Sequence, residues 1–287
     1  MEEKKQRELL KLDLHDILRR RVGGWKGRLI PGALISALER LIRQDRLNEL
    51  LEIAYPAEGS AFSAAILKEL DITVTVEGTD NIPAGKRLIF ASNHPLGGLD
   101  GITLIKVLGD MYGDDHIRFL VNDMLMNVEP LQNVFLPINK YGSQGREAAK
   151  AINVAYASDM QIAVFPAGLV SRLHDDGTVA DLMWQKAFVA KAIEYRRDIV
   201  PVRFVALNTP HFYRFARRRK RIGLKVNLEQ ALLPSEVCKA QGAKFRIIFG
   251  NPVSWESLRD SRQSPLRLAA DLRAAVYSLE EPERIGS

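Results

Sequence analysis

The amino-acid sequence predicts an α/β fold, with a mostly parallel central sheet flanked by helices and an N-terminal helical extension. Three observations predict it. Apolar residues recur at helical spacing through the first seventy positions, the hydrophobic period changes to two at Ile72, and beyond that point short apolar runs alternate with helical stretches. The simplest partition is an extension over residues 1–70, packed on a main α/β domain over residues 71–287.

Leu10, Leu14, Ile17 and Leu18 share one helical face. After the Gly23-Gly24 break, Leu34, Leu38, Leu41 and Ile42 continue on a second helix, with Pro31 suited to its first turn and Arg40, Arg43 and Arg46 giving it a cationic side. Ile72, Val74 and Val76 then form one face of a strand, and the turn residues Asn81, Pro83 and Gly85 lead into a second at Leu88 to Ala91. Ile102 to Leu108 predicts a helix, Phe119 to Val121 and Val134 to Leu136 short buried strands, Arg146 to Ala157 a helix and Gln161 to Phe165 a strand. A helix through Trp184 to Tyr195 and strands at Ile199 to Val205 and Phe245 to Phe249 complete an alternation that favours parallel pairing.

Composition narrows the function. The chain has 287 residues, 46% of them hydrophobic, enough for a substantial core. Its single cysteine, Cys238, excludes an intramolecular disulfide framework and a multi-cysteine zinc site, and suits a reducing compartment. No run of about eighteen apolar residues occurs, and Met1 to Arg21 is heavily charged, so neither a spanning helix nor a secretory signal is predicted. The expected location is cytoplasmic, peripheral on the cytoplasmic membrane. The formal charge of +6 is concentrated in Arg214, Arg217, Arg218, Arg219, Lys220 and Arg221. Such a patch suits an anionic partner, whether a lipid leaflet, coenzyme A or nucleic acid, and a merely solvated basic loop fits equally well.

Chemistry is concentrated in two segments that each follow a predicted strand, where α/β sheets place their sites. In Ser92 to Gly101, His94 is a side chain that titrates near neutrality, and Asp100 can bond one ring nitrogen so that the other takes a proton. Gly97 and Gly98 let the backbone fold back between them. In the second segment, Phe165-Pro166-Ala167-Gly168-Leu169-Val170-Ser171-Arg172, Pro166 and Gly168 bend the chain while Ser171 and Arg172 add a hydroxyl and a fixed cation, equipment suited to a phosphate or carboxylate. Backbone N–H groups of either glycine turn could serve a developing oxyanion.

These blocks carry a resemblance. Asn93-His94 followed by Asp100, then Phe165-Pro166-x-Gly168, resembles the first and third signature blocks of the lysophospholipid (glycerolipid) acyltransferase superfamily. Val134 to Lys140 is similar to the second block, with Lys140 where the family usually has an acceptor-binding arginine, and Ile199 to Val202 is similar to the fourth. The resemblance implies acyl transfer from acyl-CoA or acyl carrier protein to a lysolipid hydroxyl, with His94 as base and Asp100 as its partner. It implies substrate contacts from Asn93, Gly97, Gly98, Lys140, Phe165, Pro166, Ala167, Gly168, Ser171 and Arg172, and no bound cofactor or metal. Two departures matter. Five residues, Pro95 to Leu99, separate His94 from Asp100 where most members have four, so the loop must bulge. Ala167 and Leu169 replace the usual glutamate and threonine, a form similar to a hemolysin-like bacterial branch that includes makers of amino-acid lipids. An amino-acid-lipid acceptor is therefore implied beside a lysophosphatidate-like one, and acylation of an amino-acid amine is the alternative reaction.

Three other readings compete. Ser171 as a hydrolase nucleophile lacks the Gly-x-Ser-x-Gly elbow. A non-enzymatic module would use the basic patch, interleaved with Phe212, Tyr213 and Phe215, to hold anionic lipid or nucleic acid, but leaves His94 and Asp100 unexplained; no nucleic-acid partner is expected. Finally, His94, His116, His174 and His211 match no common zinc spacing.

Overall fold

The structure is a computed structural model and describes residues 32–138, 145–223 and 228–285. The expected helix around Leu10 to Leu18 and the residue Lys140 lie outside the described residues.

The described residues open with three short helices, α1 (Gly32–Ile42), α2 (Gln44–Ala54) and α3 (Gly59–Glu69). Leu47, Leu50 and Ala54 form the buried stripe of α2, and Phe62, Ser63, Ile66 and Leu67 that of α3, each at helical spacing. There follow β1 (Thr73–Glu77), β2 (Leu88–Ser92), α4 (Leu99–Tyr112), β3 (Ile117–Asn122), β4 (Phe135–Ile138), α5 (Arg146–Ala157) and β5 (Gln161–Val164). A small hairpin, β6 (Arg172–Leu173) with β7 (Val179–Ala180), precedes α6 (Ala187–Tyr195), β8 (Asp198–Val205), α7 (Pro210–Arg221), α8 (Leu233–Lys239), β9 (Lys244–Phe249), α9 (Trp255–Asp260) and α10 (Pro265–Leu279).

Seven strands form the main sheet in the order β1-β9-β8-β2-β5-β3-β4. Every neighbouring pair is parallel except β8 with β9. The mostly parallel sheet expected from the alternation is therefore present. Strand β2 lies between β8 and β5 and is buried along its whole length, which is why its sequence, Leu-Ile-Phe-Ala-Ser, shows no apolar/polar alternation. Its Leu88 and Phe90 join the cluster that contains Leu50 of α2, Phe62 and Ile66 of α3, and Leu104 and Leu108 of α4. Ile89 and Ala91 join a second cluster with Trp184, Phe188 of α6, and Leu272 and Val276 of α10. Successive residues of one strand thus feed two cores, one on each face of the sheet.

A third, smaller cluster brings together Val170, Val179, Phe212, Tyr213, Leu232 and Ile285, and seats α7 beside the hairpin. The basic segment that the sequence left open as a loop is a helix: Pro210 occupies its first turn, and Phe212, Tyr213, Ala216 and Arg219 form its inner face. Trp184, expected inside a helix, lies before α6 and is fully buried. The hairpin and helices α8, α9 and α10 were not foreseen. Among the described residues no helix is long and apolar enough to cross a membrane.

Candidate active site

The loop between β2 and α4 carries His94, and Asp100 stands in the first turn of α4. His94 Nδ1 lies 2.9 Å from Asp100 Oδ2, with the carboxylate fully buried and the imidazole 19% exposed. Four backbone N–H groups also donate to Asp100: Leu96 (2.9 Å) and Gly97 (3.2 Å) to Oδ2, Gly98 (3.0 Å) and Gly101 (2.9 Å) to Oδ1. The acid thereby satisfies orphan donors at the start of α4, where the helix dipole also favours negative charge. Burial alone would raise its pKa, but the His94 charge and hydrogen bond and the N–H donors of Leu96 and Gly101 outweigh it and hold the group below the usual carboxylate range. An ionised Asp100 accepts only, so Nδ1 carries the hydrogen and Nε2 is left as the basic nitrogen.

Gly97 makes the five-residue separation possible. It has φ 74°, and a Cβ there would stand 2.9 Å from Leu233 Cδ1 and 3.2 Å from Val170 Cβ. The far side of the loop is anchored by Tyr213, whose hydroxyl donates to Pro95 O at 2.8 Å, and by Asn208, whose amide donates to Leu96 O at 3.1 Å.

The second loop leaves β5 and lies against the first. The Phe165 ring stacks on His94 with centroids 4.2 Å apart, and Ser171 N–H donates to His94 O at 2.8 Å. Behind them sits Asp181. Its Oδ1 accepts from His94 N–H (3.1 Å) and from the Ser171 hydroxyl (2.6 Å), and its Oδ2 accepts from Trp184 Nε1 (2.8 Å). Burial pushes the Asp181 pKa up, opposed by these donors and by the His94 charge. Two segments about seventy residues apart in sequence are therefore bound together around a single imidazole.

The acyltransferase family model matches residues 22–279 of the chain. This protein belongs to the lysophospholipid acyltransferase superfamily. It is 38% identical over 268 residues to the lyso-glycine lipid O-acyltransferase of Phocaeicola vulgatus, an alignment covering 93% of this chain and 95% of that one. It is 37% identical over 271 residues to the lyso-glycine lipid O-acyltransferase of Bacteroides thetaiotaomicron, covering 94% and 98%. It also aligns with the crystal structure of the 1-acyl-sn-glycerophosphate acyltransferase PlsC from Thermotoga maritima, at 16% identity and a TM-score of 0.44 over 89% of this chain and 95% of that one. The chain is an acyltransferase, and its description as a non-enzymatic module falls.

Several residues expected to touch substrate in this acyltransferase do other work. Asn93 is fully buried and pairs both ways with the Phe204 backbone, donating to its carbonyl (2.9 Å) and accepting from its N–H (2.7 Å), so it ties the end of β2 to β8. The N–H groups of Gly97 and Gly98 are taken by Asp100, and that of Gly168 donates to Phe165 O at 2.9 Å, so none of the three is aimed at an oxyanion. Ser171 is fully buried, and its hydroxyl donates to Asp181. Pro166 and Ala167 are buried in the turn, which Gly168 closes at φ 62°.

Arg172 is not a free cation. It forms an ion pair at 2.8 Å with the fully buried Glu229, which also holds Arg219 through Nε at 2.7 Å. Both guanidinium Nη atoms of Arg172 nevertheless lie buried without a hydrogen bond. Burial lowers the Arg172 pKa, Glu229 raises it and Arg219 lowers it again, the signature of two cations sharing one anion. Of the predicted patch, Arg219 therefore points inward, Arg217 pairs with Asp175 at 2.9 Å, and Arg214, Arg218, Lys220 and Arg221 are exposed. Arg172, Arg217, Arg219, Lys220 and Arg221 line a groove of about 740 Å³ between the hairpin and α7, together with Leu169, Leu182 and Ala216. Among the described residues no three His, Cys, Asp or Glu side chains converge as metal ligands.

Asp181, Glu229 and Asn208 were missed by sequence reasoning, and Tyr213, read there only as an aromatic of the basic patch, instead anchors the His94 loop. Asp181 had a signal: it is a lone acid inside the otherwise apolar run Val179 to Trp184. Glu229 and Asn208 carry none, because their partners lie ten or more residues away in sequence.

Proposed function

We propose that this acyltransferase moves a fatty acyl chain from an acyl thioester, either acyl-CoA or acyl carrier protein, to the hydroxyl of a lysolipid built on an acylated amino acid. His94 is the general base and Asp100 its orienting partner. The observation that carries the reading is the 2.9 Å contact between a buried, ionised carboxylate and the Nδ1 side of a part-exposed imidazole, which leaves Nε2 as a proton acceptor at the cleft. As the acceptor oxygen attacks the thioester carbonyl, its proton passes to Nε2. When the tetrahedral intermediate collapses, the C–S bond breaks and the imidazolium returns that proton to the departing thiolate. Asp100 stays ionised throughout and stabilises the imidazolium.

The acceptor's anionic head is assigned to the groove lined by Arg172, Arg217, Lys220 and Arg221, whose positive charge suits a carboxylate or phosphate. Oxygen rather than nitrogen is the acceptor atom in this reading, which the names of the two bacterial relatives support. The exposed basic side of α7 faces an anionic membrane surface from which the acceptor is drawn. The test is reconstitution: purified enzyme, labelled acyl-CoA or acyl carrier protein, and lyso-glycine lipid or lysophosphatidate as acceptor. Acylated glycine lipid as the main product is expected; product from lysophosphatidate alone would overturn the acceptor assignment.

A further inference from the structure

Asp181 is a buried carboxylate that the proposed reaction has not used. It follows β7 directly and is fully enclosed, and two of its three donors, His94 N–H and Trp184 Nε1–H, can only donate. Burial pushes its pKa up, but each oxygen accepts from a group that can only donate, which favours the anion, and the side chain makes no ion pair among the described residues. Its main chain is gripped from the other side: its N–H donates to the Tyr277 hydroxyl at 2.7 Å, and Arg273 Nε donates to its carbonyl at 3.2 Å. Both Arg273 and Arg203 stack on the Tyr277 ring, so the cations of α10 and β8 stand behind that ring and not on the carboxylate.

We infer that Asp181 is a positioning residue for the base: it fixes the His94 main chain against the Ser171 turn and sets a second negative charge beside the imidazole. The two acids divide the work. Asp100 orients the ring through Nδ1, and Asp181 holds the backbone from which the ring projects, keeping it stacked on Phe165. A cation forms on His94 only while the acceptor proton is held, so a buried anion without a permanent partner stabilises that state more than the resting one. The inference rests on His94 being the base.

Asp181→Asn preserves shape and removes the charge. The expected result is a fall of roughly 10- to 100-fold in kcat, with KM for the acceptor within about threefold of wild type. The acid limb of the kcat/KM profile should also move to lower pH by on the order of half a unit, because an imidazolium loses a neighbouring anion. Among the described residues, the charged and titratable groups facing this region are His94, Asp100, His174, Tyr213, Tyr277, Arg273 and Arg203, and none of them is altered. Wild-type kcat, or a lowered kcat with an unmoved acid limb, overturns the inference, since a merely structural role would not shift the profile. Trp184→Phe guards against misfolding of the first variant: it removes the donor to Oδ2 and keeps the charge, so kcat should fall a few-fold with the acid limb in place. Unchanged kcat there counts against the inference. His94→Ala separates the two claims, because activity surviving in that variant defeats the base itself, whereas a dead His94→Ala beside a normal Asp181→Asn defeats only this one.

Discussion

His94 is held at three points, by Asp100 at the ring, by Asp181 and Ser171 at the main chain and by Phe165 at its face. Replacing Asp100 with Asn leaves an amide where the carboxylate met Nδ1–H and favours the tautomer with the hydrogen on Nε2. Turnover should drop by about 10²–10⁴-fold with the fold retained. The depressed Asp100 pKa also sets a stability signature. A carboxylate held below its unfolded value contributes fully above roughly pH 5 and loses that contribution as pH falls through the native value. The Tm gap between wild type and Asp100→Asn should thus shrink as pH is lowered from about 5 to below about 4; a gap that stays constant across that interval contradicts the assignment. The pairing of His94 with Asp100 was legible in sequence because both residues sit on one glycine-rich turn. The roles of Asn93 and Ser171 were not: their partners, Phe204 and Asp181, are brought to them only by the folded sheet and the hairpin.

At the scale of elements, the informative case is α7. Charge alone could not separate a solvated loop from a helix, because the deciding evidence is the inner face of Phe212, Tyr213, Ala216 and Arg219 and the buried Glu229 that receives Arg219. Glu229 also neutralises Arg172, so Glu229→Gln would leave two buried guanidinium groups without their shared anion. Loss of one partner from such a cluster costs about 3–5 kcal/mol, a fall in Tm of on the order of 10 °C in a thermal melt. An unchanged Tm would mean the two arginines are solvated and that the groove is not a preformed anion site. The strands of the sheet were legible because buried parallel strands read as apolar runs. Helices α8 and α9 are too short to show a period, and the two-residue strands of the hairpin carry no pattern at all.

Across the whole molecule, the sheet order places the β2 and β5 ends side by side, and this adjacency brings two sequence motifs together around His94. The exposed Lys220 and Arg221 of α7 line one groove with Leu169 of the loop that follows β5 and Arg172 of β6. A double change of Lys220 and Arg221 to Gln should weaken binding to vesicles containing anionic lipid by roughly 30-fold, about 1 kcal/mol for each charge removed. Binding to neutral vesicles should be unaffected; equal loss on both would place the membrane contact elsewhere.

In the proposed reaction one imidazole removes the acceptor proton. Measuring kcat for transfer of a labelled acyl chain from a thioester to lyso-glycine lipid, with wild type and His94→Ala side by side at matched folding, tests it most directly. A loss of about 10²–10⁴-fold, equivalent to roughly 3–5 kcal/mol of transition-state stabilisation, is the predicted result. Transfer at the wild-type rate in the alanine variant would contradict it.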